Sequence, residues 1–77
     1  MHKHPEITPG MRVRYSCRFL RAIGAYTGPM GQGRGTVIGL VPLGESVLAQ
    51  IVWDNPEKLP GRVLTANLWP IGRPEPD

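Results

Sequence analysis

Between Gly35 and Trp53 the chain carries two β-branched, apolar runs. Gly35-Thr-Val-Ile-Gly-Leu-Val41 and Ser46-Val-Leu-Ala-Gln-Ile-Val-Trp53 are separated only by Pro42-Leu43-Gly44-Glu45. A link that short pairs its flanking strands antiparallel, so a hairpin is predicted with Thr36 to Val41 on one side and Val47 to Trp53 on the other. Val47, Ala49, Ile51 and Trp53 share one face of the second run, and Leu48, Gln50 and Val52 the other. In the first run the same alternation places Val37 with Val41 and Ile38 with Leu40. Asp54-Asn55-Pro56 ends the hairpin, and the chain closes on Ala66-Asn67-Leu68-Trp69-Pro70-Ile71-Gly72.

Upstream, Met11-Arg12-Val13-Arg14-Tyr15-Ser16 alternates strictly and predicts a half-buried first strand with Arg12 and Arg14 facing outward. Arg62-Val63-Leu64-Thr65 predicts a fourth strand. Ala66 to Trp69 fits one helical turn before a last strand at Pro70-Ile71. Ten glycines and nine prolines among 77 residues leave little room for helix. Only Ser16 to Ile23, with Phe19, Leu20 and Ile23 at helical spacing, competes with an irregular arm. Gly24 to Gly35 reads as a long loop. Residues 9–72 thus form one small domain, 1–8 a polar flexible leader and 73–77 a flexible tail.

A chain this short buries about 60% of its unfolded surface, so its core is thin and self-association stays open. The single cysteine excludes an intrachain disulfide and fits a reducing cytoplasm. No apolar stretch approaches the roughly 18 residues of a membrane span. The opening lacks the apolar region of a signal peptide. A soluble cytoplasmic protein with no membrane partner is expected.

Five short strands, a long loop after the first, a tight central hairpin and a helical turn before the last resemble an SH3-like barrel. Gly10-Met-Arg-Val-Arg14, Gly35-Thr-Val-Ile-Gly39, Ile51-Val-Trp-Asp54 and Asn67-Leu-Trp-Pro-Ile71 carry the resemblance. It implies a five-stranded antiparallel all-β barrel with one short helical turn. Phe19-Leu-Arg-Ala-Ile-Gly-Ala-Tyr-Thr-Gly28 with its flanks is similar to short uncharacterised proteins of bacteriophage and prophage genomes, which implies an origin and no activity. The Gly-x-Arg-Val-Arg opening, a Gly-x-Val-x-Gly strand and a Pro-Gly before the fourth strand also echo the plasmid-borne (type II) dihydrofolate reductase barrel. That family builds one active pore from four subunits around a Val-Gln-Ile-Tyr motif. Here the matching place reads Arg62-Val63-Leu64-Thr65, without the glutamine and tyrosine.

Charge is uneven. Residues 1–40 carry a local +5 and residues 41–77 a local −2 within the net +3. Arg12, Arg14, Arg18, Arg21 and Arg34, with Tyr26 as a stacking ring, have the composition of a nucleic-acid-binding face. The bland alternative is an outward strand face kept polar. Trp53 and Tyr15 point inward by alternation. Trp69 fits either the core or an exposed protein-binding anchor beside the Gly24–Arg34 loop.

Other chemistry is sparse. Gly28-Pro-Met-Gly-Gln-Gly-Arg-Gly35 lacks the Gly-Lys-Ser/Thr ending of a phosphate loop. His2, His4 and Cys17 form no closed ligand set, so no metal is expected. Cys17 beside Arg18 reads as a small core residue. Glu45, Asp54 and Glu57 have no acid–base pair spacing, and nothing calls for a cofactor. The sequence predicts a small barrel with Val13, Tyr15, Val37, Ile51, Trp53, Val63 and Leu68 in its core. Functionally it predicts a non-catalytic binding protein. Its first partner is nucleic acid through the five arginines and Tyr26. The alternatives are a protein-interaction module or inhibitor of a host complex through Trp69, and a homotetrameric dihydrofolate-reductase-like enzyme.

Overall fold

A computed structural model describes residues 4–25, 28–55 and 59–76. It contains β1 (Arg12–Tyr15), β2 (Gly35–Leu43), β3 (Ser46–Trp53), β4 (Arg62–Leu64) and β5 (Leu68–Pro70). Two helices, α1 (Cys17–Ile23) and α2 (Pro29–Gln32), lie between β1 and β2, and a 3-10 turn (Thr65–Asn67) joins β4 to β5. All neighbouring strands are antiparallel and form one sheet in the order β4-β3-β2-β1-β5.

That order forces curvature. β4 and β5 are opposite edges of the sheet, which in a flat sheet would lie about 19 Å apart. The four residue steps from Leu64 through the 3-10 turn to Leu68 span at most about 14 Å. The sheet therefore coils until its two edges approach each other, although no ladder joins β4 to β5 among the described residues.

Inside the coil lie Val13, Tyr15, Val37, Ala49, Ile51, Trp53, Val63 and Leu68, joined by Ile7 and Leu20. All seven core residues expected from alternation are buried. Tyr15 stacks on Trp53 at 5.2 Å between centroids and on Phe19 at 5.5 Å, so one column of rings ties β3, β1 and α1 together. The buried Trp53 indole finds an acceptor for its N–H in Pro60 O at 2.7 Å.

Ser16 explains why the ambiguous segment is a helix. Its side chain accepts from Phe19 N at 3.0 Å, an N-cap that satisfies one of the orphan amides of the first turn. At the other end Gly24 adopts φ 70°, the left-handed conformation that closes a helix C-terminus. Only Leu20 of α1 is buried, while Ile23 is half exposed.

Three expectations need correction. The Gly24–Gly35 stretch is not one loop, because Pro29 opens the short α2 and Gly35 already belongs to β2. Strict alternation fails in β2, where a β-bulge falls between Val37 and Gly39. The extra residue turns Val41 to lie opposite Leu48 on the outward face, and sets Leu40 opposite the buried Ala49. The packed unit also extends past residues 9–72. Ile7 from the leader is 5% exposed within the core, and Glu75 from the tail is bonded to β1 and α1.

Candidate functional site

The structure divides the five arginines. Arg12 does project outward from β1, but it forks onto the Asp54 carboxylate, with Nη1 at 2.7 Å from Oδ1 and Nη2 on Oδ2. It also donates to Thr36 Oγ1 at 3.1 Å. The hydrogen bond from Arg12, with its positive charge, holds the Asp54 carboxyl below its usual range. Both partners are about half exposed, so salt and water screen the pair.

Arg14 is more deeply engaged. Its Nη1 donates to Glu75 Oε1 at 2.8 Å and to Tyr15 O at 3.0 Å, with only 20% of the side chain exposed. Glu75 also accepts from Cys17 N at 2.9 Å and Arg18 N at 3.1 Å. Burial by itself would raise the pKa of this carboxyl, but the donated bonds and the guanidinium charge outweigh it and hold it below its usual range. Cys17, half-buried, lies 3.7 Å from Arg14 Nη1.

Arg18, Arg21 and Arg34 are exposed and have no carboxylate partner among the described residues. Arg18 and Arg21 sit three apart on α1, close enough to act together. Arg34 turns its guanidinium onto Gly33 O at 2.9 Å, beside an open cleft of about 260 Å³ that Gln32, Asp54, Asn55 and Leu59 also line. Tyr26, the proposed stacking ring, lies outside the described residues.

Trp69 is not an exposed anchor. It is 7% exposed, and Arg14 is its register partner on the outward face of β1 and β5. Both terminal segments cover it. His4 meets the indole edge-on at 5.5 Å and hydrogen-bonds Thr65 O at 2.9 Å, while the indole N–H donates to Arg73 O at 3.0 Å.

The surface that sequence reasoning missed is the outward face of the hairpin. Ile38 (60% exposed), Val52 (57%) and Leu43 (56%) stand in solvent there. The register draws Val41, Leu48 and Leu64 into a half-buried row across β2, β3 and β4 on that face. Residues 35–53 contain one charged side chain, Glu45, and it sits in the turn. Arg12 and Arg62 border the face from the flanking strands, as register partners of Thr36 and Gln50. The signal was available in the sequence: Val41, Leu43, Leu48 and Val52 put apolar side chains on a face whose polar members, Thr36, Ser46 and Gln50, are all uncharged.

Among the described residues no cluster of three or more histidine, cysteine or carboxylate side chains could hold a metal, and no helix is long and apolar enough to cross a membrane. Comparison with protein-family models, curated proteins and solved structures finds no match to this chain.

Proposed function

We propose that the chain is a non-catalytic protein-interaction module, and that the outward face of its β2–β3 hairpin is the contact surface. The observation that carries this reading is the charge-free apolar face itself, with Ile38, Val52 and Leu43 each more than half exposed. Contiguous exposed apolar side chains rimmed by polar groups are the anatomy of a contact site. Here the rim is Arg12 with its Asp54, and Arg62.

The occupant argued for is a second copy of the chain. A face without charge does not repel its own image, which a two-fold contact requires. The sheet edges are poor alternatives, since β4 and β5 have three residues each and β5 ends in Pro70. The strand order and the coiled sheet support reading the module as an SH3-like barrel. The bacteriophage origin rests on the resemblance of residues 19–28.

Three partly exposed apolar side chains, covered on each of two copies, contribute about 4–9 kcal/mol. The cost of association is of the same size, about 4–15 kcal/mol. The dimer is therefore weak, and sedimentation analysis must reach about 1 mM. The expected result is a concentration-dependent dimer that Ile38→Lys with Val52→Lys abolishes without lowering Tm. A strictly monomeric chain at that concentration refutes the reading.

A second reading keeps nucleic acid, on the three arginines that lack carboxylate partners. Oligonucleotide titration at two salt concentrations tests it. Arg18→Ala with Arg21→Ala should weaken binding and flatten its salt dependence, and binding indifferent to salt removes the idea.

A further inference from the structure

One polar side chain interrupts the middle of the apolar hairpin face. Gln50 lies between Leu48 and Val52 along β3, while the other polar members, Thr36 and Ser46, sit towards the two ends. Thr36 is already engaged, since its hydroxyl accepts from Arg12. Gln50 is half-buried, and among the described residues its carboxamide enters no side-chain hydrogen bond.

The register partner of Gln50 is Gly39. A Cβ there would stand 2.6 Å from Gln50 Oε1 and 3.6 Å from its Cδ, so the amide lies down across the bare glycine backbone. The φ of Gly39 is ordinary, so glycine serves here for space and not for conformation. The hairpin thus carries, among Ile38, Leu48 and Val52, a carboxamide with its hydrogen-bonding capacity unspent.

Building on the self-contact of this face, we propose that Gln50 lies on the two-fold axis of the dimer and pairs with its own counterpart in the second copy through reciprocal amide hydrogen bonds. Gln50 is then the residue that sets the register of the two hairpins.

The chemistry of the group selects this partner. A carboxamide has two donors and an acceptor, so two of them related by a two-fold satisfy each other with a pair of N–H···O bonds. A carboxylate or an ammonium in the same place would meet its own charge. The apolar side chains around Gln50 tolerate many placements of one face on the other, because burial is not directional. A covered amide without a partner loses its hydration and regains nothing, so placements that slide the hairpins apart are penalised. A single polar group in an apolar seam sets register in coiled coils by the same balance.

Sedimentation at about 1 mM compares wild type, Gln50→Lys, Gln50→Glu and an equimolar mixture of the two variants. A residue on the axis faces itself, so Gln50→Lys brings two ammonium groups together and should weaken the dimer at least about tenfold. The mixture opposes unlike charges, and its mixed dimer should be at least about tenfold tighter than the dimer of Gln50→Lys alone. Gly39→Ala moves the amide without adding charge. The atom it meets is the end of a flexible side chain, so Tm should hold while the dimer weakens. If wild type dimerises and Gln50→Lys does so equally well, or the mixture is no tighter than Gln50→Lys, the axial pairing is overturned and the hairpin contact stands. A wild type that stays monomeric removes both. If Gln50→Lys does not fold, the side-chain amide protons of wild type decide. Those of Gln50 should shift on concentration to about 1 mM while those of the exposed Gln32 stay in place. Gln50 signals that stay in place in a dimerising sample overturn the pairing.

Discussion

Gly35→Ala should be among the most damaging single-methyl changes in this protein. Gly35 is the register partner of both Val13 and Trp53, at the crossing of β1, β2 and β3. A Cβ there would stand 2.7 Å from Ile51 Cγ2, 2.9 Å from Val52 O and 3.0 Å from Trp53 Cε3. None of these atoms is the loose end of a flexible chain. Val52 O is backbone of the β2–β3 ladder, and the Trp53 ring is fixed by Tyr15 on its face and Pro60 O at its edge. Overpacking of this kind costs about 1–3 kcal/mol, and a backbone clash belongs at the upper end. For a domain of this size each kcal/mol lowers Tm by about 4–8 °C, so a loss of at least about 8 °C is expected. Gly61→Ala is the control. Among the described residues nothing lies within 4 Å of a Cβ there and its φ is ordinary, so the change should be neutral or stabilise by about 0.4–1 kcal/mol. Thermal unfolding followed by circular dichroism reads both. If Gly35→Ala melts within about 3 °C of wild type, or Gly61→Ala loses as much, the packing account of β2 is wrong.

Two further outcomes follow from the caps and the acids. Ser16→Ala removes the bond to Phe19 N and should cost about 1 kcal/mol, whereas Ser16→Thr should retain most of it; chemical denaturation compares the two. Glu75 and Asp54 both have folded-state pKa values below their ordinary ones. Their stabilisation is therefore complete above the ordinary carboxylate values, about 4, and is lost as the pH falls through the lowered values. Melts between pH 2 and 7 should show stability rising with pH on the acid side, and Glu75→Gln should flatten that rise. An unchanged slope in the variant contradicts the bonding described for Glu75.

Much of the sheet was legible because alternation is a local signal. Arg12 to Tyr15 and Val47 to Trp53 each declare their inner face within a few residues, and the core follows from them. The bulge at Ile38 was not legible. Ile38 and Leu40 look alike in sequence, and only the pairing with β3 reveals that one residue is extra. The short α2 was hidden among glycines, where composition argues for a loop although Pro29 is well placed to start a helix. The arginines show the deeper limit. Charge counting placed them together in the first half of the chain, yet Arg12 finds Asp54 and Arg14 finds Glu75, both far along the sequence. Trp69 was undecidable for the same reason: its cover comes from both ends of the chain, and neither end advertises itself as apolar.

β1 lies between β2 and β5 in the sheet, and β5 is the last of the five strands along the chain. During synthesis the first strand therefore waits with one flank open until β5 has been made. Half-made chains hold an unpaired edge and an empty interior, so this domain acquires its shape late and all at once.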